Sequence, residues 1–126
     1  MAVTVSALAN PIEYKVVVNT DTDTGGGANV GYPDLLATSG IVYSIDIDNS
    51  GLGAVTYILL YDAKTIVVGT TVPTMTLMAP ASTRMVYNIP AGVTFSTAIS
   101  IAGCTAGGTG NTSDPGSSIP VRLTCK

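Results

Sequence analysis

The chain has no histidine, no tryptophan and no glutamine, and its one glutamate is Glu13. Of its 126 residues, five are basic and eight acidic. Chemistry near neutral pH ordinarily uses a titratable group poised close to its working pKa, and histidine is the side chain that starts there. Without it, Ser-His-Asp and Cys-His catalysis are excluded. Two cysteines and no histidine leave no ligand set for a zinc centre. The absence of tryptophan removes the favoured platform for stacking a sugar. The expectation is a protein that is not an enzyme, with no catalytic, cofactor-binding or metal site.

The five cations, Lys15, Lys64, Arg84, Arg122 and Lys126, form no run, and the net charge is −3. Nucleic acid is therefore not an expected partner. The uncharged stretch 85–113 is long enough for a membrane span, but Asn88, Pro90, Gly92 and a Gly/Thr cluster interrupt it, so no membrane association is expected. The N-terminus lacks a cationic segment followed by an apolar one, and the expectation is synthesis in the host cytoplasm. Pairing Cys104 with Cys125 would close a loop of about 20 residues and add on the order of 3 kcal/mol. Two half-buried thiols on strands are the expected alternative in a chain without a secretory signal.

What the chain does hold is sheet-forming side chains: Val, Ile and Thr together make 42 residues, a third of the total. Ile41, Tyr43, Ile45 and Ile47 alternate with Val42, Ser44, Asp46 and Asp48, as on a strand with one buried face. Met85, Tyr87 and Ile89 alternate in the same way, as do Phe95, Thr97, Ile99 and Ile101. Segment 54–62 (AVTYILLYD) is apolar on both faces, which predicts a central strand or one facing another subunit. Further strands are expected at 14–18, 72–79 and 119–125, with one more at 3–8. Turn chemistry falls at 49–51, 63–65, 80–82 and 89–92. The only helix candidate is a short one at 32–39, opened by Pro33-Asp34 and stopped by Gly40.

Strands spaced roughly 8–15 residues apart predict an all-β antiparallel sandwich rather than βαβ units. Residues 1–126 read as a single jelly-roll-like domain of about eight strands, with residues 1–12 as an N-terminal arm. Two long Gly-rich loops, 19–31 and 103–118, break the pattern, and such loops are usually functional or mobile. A charged fraction of 10% against roughly 25% in ordinary domains suggests that neighbouring subunits cover part of the surface.

Three short motifs carry little chemistry. Asp23-Thr24-Gly25 matches the aspartic protease signature, but solvated turn sequence precedes it and Gly26-Gly27 follow, leaving the carboxylate no rigid seat. Asn19, Asp21 and Asp23 have the spacing that opens a calcium loop, as do Asp46, Asp48 and Ser50. Loop position 12 would then be Val30 or Tyr57, neither of which supplies the bidentate carboxylate. Asn111-Thr112-Ser113 fits the N-glycosylation pattern.

From Ile41 onward the chain resembles the small β-sandwich decoration, or cement, proteins of tailed bacteriophage capsids. The resemblance runs through 41–49 (IVYSIDIDN), 55–63 (VTYILLYDA), 68–73 (VGTTVP), 85–93 (MVYNIPAGV) and 121–124 (VRLT), about two-thirds of the chain. It implies a jelly-roll subunit, commonly trimeric, on the outer surface of the virion. Its partner would be the major capsid protein lattice, and its role structural: bridging capsomers and stabilising the shell without chemistry. Arg84 and Arg122 are the expected charged contacts to the capsid or between subunits. The N-terminal arm is expected to add a strand to a neighbour's edge. The alternatives are a glycan-binding sandwich of a tail fibre or adhesin using Tyr32, Tyr57 or Tyr61, and a retroviral-type aspartic protease using Asp23.

Overall fold

The computed structural model describes residues 2–7, 15–20, 31–117 and 119–126 of the chain, the first two segments through their backbone pairing. Every regular element among them is a strand: β1 (Ala2–Ala7), β2 (Lys15–Thr20), β3 (Gly40–Asn49), β4 (Thr56–Tyr61), β5 (Met75–Ala79), β6 (Thr83–Phe95), β7 (Ser100–Cys104) and β8 (Pro120–Cys125). From Gly40 onward, six strands make two antiparallel three-stranded sets, β8-β3-β6 and β5-β4-β7. Strands β1 and β2 extend the first set beyond β8, giving the order β1-β2-β8-β3-β6. Tyr32 forms an antiparallel bridge to Ile101 in β7, a remnant of a fourth strand on the smaller sheet. With the Tyr32 bridge counted as a strand, the chain from β2 onward switches sheets at each step apart from the β4–β5 hairpin. That is the connectivity of a jelly roll.

The two sheets close on one apolar layer. Val42, Ile45, Ile47, Val121, Leu123 and Cys125 come from the larger sheet, and Ile58, Leu60, Ala79 and Ile101 from the smaller. Phe95, Ile99, Leu35 and Leu36 seal one end. At the opposite end, Asn49 is a fully buried polar hub. Its amide donates to the carbonyls of Ala54, Ala79 and Pro80, and its carbonyl accepts from the Thr56 hydroxyl. One side chain thus ties the end of β3 to β4 and to the turn after β5, meeting the rule that buried polar groups be paired.

The alternation expected for β3 breaks at Tyr43. Val42 pairs with Cys125 and Ser44 with Thr124, so Tyr43 is an extra residue against β8. Against β6 the register jumps from Val42↔Val93 to Ser44↔Asn88, so residues 89–92 bulge from that strand. One inserted residue exchanges the faces. Val42, Ile45, Ile47 and Asn49 point inward, while Ile41 and Tyr43 turn to the outer face, half-buried rather than in the core.

Other expectations change for equally local reasons. The expected turn at 89–92 is this bulge inside one 13-residue strand. The expected strand from Phe95 to Ile101 is divided: β6 ends at Phe95 and β7 begins at Ser100. Between them, the Asp62 carboxylate accepts from the backbone N–H groups of Ser96, Thr97 and Ala98 and from the Ser96 hydroxyl. Donors committed to a carboxylate cannot join a ladder. No helix forms at 32–39 either. The Asp34 N–H is held by the Ser100 hydroxyl and the Leu35 N–H by the Ile99 carbonyl, with Asp34 and Ala37 at positive φ.

The arm expected to reach a neighbour folds back on its own sheet: β1 pairs with β2 from Ala2↔Thr20 to Ala7↔Lys15. Segment 54–62 is a central strand covered on both faces, but its second cover is this chain. Leu59 and Tyr61 pack with Ala102, Cys104, Val68 and Ile66 beneath loop 62–74. Residues 107–112 lie over the same face. A Cβ on Gly107 would stand 3.1 Å from the Tyr57 ring, and one on Gly69 would meet Thr112 at 2.5 Å. Cys104 is buried in this outer cluster and Cys125 in the core between the sheets, so the smaller sheet separates the two thiols.

Candidate interaction surface

With the outer face of the smaller sheet covered by loops, the outer face of the larger sheet is the open one. Every second residue of three adjacent strands stands on it: Pro120, Arg122 and Thr124 on β8, Ser44, Asp46 and Asp48 on β3, and Arg84, Val86 and Asn88 on β6. Register sets the neighbours. Asp46 lies between Arg122 and Val86, and Asp48 opposite Arg84.

Arg84 bypasses its direct partner and reaches diagonally. Its Nε and Nη2 donate to the two oxygens of Asp46 at 2.9 and 2.6 Å, a bidentate pair. The guanidinium is half exposed, so the pair positions side chains more than it stabilises the fold. Asp48 accepts from the hydroxyl and N–H of Ser50, the main cause holding its carboxyl below the ordinary value. Together with Pro120 and Arg122 these residues line a cleft of about 90 Å³.

The two arginines singled out by the sequence therefore belong to one cluster on one face, which spacing along the chain could not reveal. Asp46 and Asp48, read as the opening of a calcium loop, lie along a strand with their oxygens engaged by Arg84 and Ser50. Among the described residues no group of three or more metal-ligating side chains converges. Asp21, Asp23 and the Asp-Thr-Gly motif lie outside the described residues.

The glycan-contact tyrosines divide. Tyr32 is exposed, Tyr57 is half-buried beside Gly107, and Tyr61 is 1% exposed, which bars it from stacking on a sugar. Burial under loop 62–74 pushes the Tyr61 phenol up to about 12, and its hydroxyl finds no partner among the described residues. The tyrosine the sequence reading placed in the core, Tyr43, is the one on the open face. It lines a hollow of about 480 Å³ with Ser39, Ile41, Thr94, Phe95, Ser96 and Lys126. The signal for it was Pro90 and Gly92 inside an otherwise strand-like run, which marks a bulge as well as a turn.

Comparisons with protein-family models, with curated proteins and with solved structures find no match to this chain. No helix among the described residues is long and apolar enough to cross a membrane.

Proposed function

We propose that this chain is a structural virion protein that decorates a bacteriophage capsid on its outer surface. On this reading it acts as a homotrimer, bridges capsomers of the major capsid protein lattice and performs no reaction. The reading rests first on the strand phrasing it shares with capsid decoration proteins from Ile41 onward. The observation that carries it furthest is the open face of the larger sheet. That face is nearly neutral in its paired charges and belongs to a sheet bounded by strands β1 and β6, whose outer edges pair with no other described strand.

Unpaired edges invite another chain, and natural proteins usually blunt them with charge, proline or a bulge. Here β6 is blunted from Ile89 onward but not over 83–88, where Arg84 is the one charge. A subunit engaging a lattice through such surfaces is held by many weak contacts at once, and it stabilises only the assembled shell.

Sedimentation velocity of the purified protein, followed by pelleting with capsids of its parent virus, tests this. A trimer that co-pellets with expanded capsids and raises their rupture temperature is the expected result. A monomer that stays in the supernatant with intact capsids overturns it.

A further inference from the structure

We infer that the side of the sandwich formed by the edge strands β5 and β6 is where copies of this chain meet one another. The inference rests on the homotrimer proposed above and supplies the surface through which it closes. Strand β5 ends the smaller sheet and β6 the larger. The Tyr87 hydroxyl donates to the Met78 carbonyl at 2.6 Å, which ties one edge to the other. Between these edges the core is not closed. Inward apolar side chains of β3, β4, β7 and β8 are 0–2% exposed. Met75 and Leu77 on β5, and Met85, Tyr87 and Ile89 on β6, pack on the same core yet stay only half-buried. Beside them Met78 is 41% exposed. The described residues that flank positions 8–14 and 21–30 lie at the far edges, on β1 and β2 and beside β7.

An apolar strip flanked by unpaired strand edges is an association surface, because both the side chains and the backbone gain from being covered. Charge selects the occupant. From residue 65 to residue 113 the only charged side chain is Arg84, and its guanidinium is held by Asp46 of the same chain. A partner of different sequence is recognised largely through complementary charge. The open face of the larger sheet has arginines and aspartates for that purpose, and the β5–β6 side has none to spare. Around a rotation axis each residue faces its own copies, so a charge placed there meets like charge. A strip without free charge meets that condition. The outer face of the smaller sheet cannot serve instead, since the chain's own loops cover it.

Sedimentation equilibrium of the parent and three variants tests this, with capsid pelleting alongside. Met78→Glu and Asn88→Glu each set a carboxylate at an exposed position, one on β5 and one on β6. Thr105→Glu sets one at an exposed position just after β7, the far edge strand of the smaller sheet. The parent should be oligomeric, and each edge variant should raise the dissociation constant about tenfold through like-charge repulsion. The two together should leave monomer, while Thr105→Glu assembles as the parent does. Salt at about 1 M, where the screening length falls to about 3 Å, should restore much of the lost association. A folding defect would not respond in that way. Edge variants that assemble as the parent does overturn the inference and leave the capsid reading with a different subunit contact. Edge variants that stay oligomeric but no longer pellet with capsids overturn it as well, because the strip would then face the lattice. A parent that is monomeric yet pellets with capsids overturns this inference and not the decorating role. A monomeric parent that fails to pellet overturns both.

Discussion

The two sheets of this sandwich treat their outer faces in opposite ways. The smaller sheet repeats the logic of its inner face: Leu59, Tyr61, Ala102 and Cys104 are buried, with loop 62–74 supplying Val68 and Ile66 as a lid. The larger sheet keeps its outer face open and polar, with Val86 as an isolated exposed apolar side chain on β6. In effect the smaller sheet has two cores and the larger sheet one. The low charge of the chain is therefore explained in part without any neighbour, because its own loops bury the second apolar face. What remains open to a partner or ligand is the face where most of the described charge pairing occurs.

Substitution can measure this asymmetry directly. The largest effect is expected for Leu59→Ala, which hollows the cluster under the lid. It should cost about 3 kcal/mol in urea unfolding, as a between-sheet leucine would. A loss below about 1 kcal/mol, the scale of a surface change, would show that the lid is loosely laid and the comparison overstated. Asn49→Ala should come next, at about 2–3 kcal/mol, because it strands the buried Thr56 hydroxyl and the carbonyls of Ala79 and Pro80.

Tyr61→Phe has the opposite sign. It removes a buried hydroxyl that has no partner among the described residues and should stabilise the fold by up to about 1 kcal/mol, read as a higher urea midpoint. A clear loss instead would reveal a hidden partner for that hydroxyl under the lid. Val86→Ser, on the open face, should be the smallest effect, within about 0.5 kcal/mol in the isolated protein.

Acid should act through the clamp that separates β6 from β7. The Asp62 carboxyl is held below its ordinary value, first by the Thr97 N–H and then by its other donors. Its folded pKa is depressed, so its contribution is fully present above the unfolded value of about 3.9 and fades as pH falls through the folded one. Asp62→Asn should therefore flatten the loss of stability below about pH 4 and leave the profile between pH 6 and 8 parallel to that of the parent. Unchanged acid sensitivity would show that another carboxylate carries the effect.

The expectations that failed share a cause. An uninterrupted apolar run located β4, and period-two patterning located β3 and the first half of β6, because side-chain alternation is a property of the strand itself. It misplaced Tyr43, since one inserted residue exchanges the faces and nothing in 41–47 announces the insertion. It merged Phe95 with Ile101 because Ser96 and Thr97 are acceptable in a strand, while the carboxylate that takes their donors sits 34 residues earlier. The helix expected at 32–39 failed for the same reason, with the competing acceptors on 99–100. Arg84 and Arg122 are distant in sequence, and only strand register brings them to one face.

Composition and periodicity by themselves determined that this chain is an all-β antiparallel sandwich, built without histidine. Those follow from which side chains exist and how they alternate, before any long-range contact forms. Which apolar face the chain covers for itself, which tyrosine reaches solvent and which charges meet were decided by the tertiary structure alone. Each depends on a bulge, a lid or a donor already taken by a residue distant in sequence, and local patterning carries no record of partners that far away.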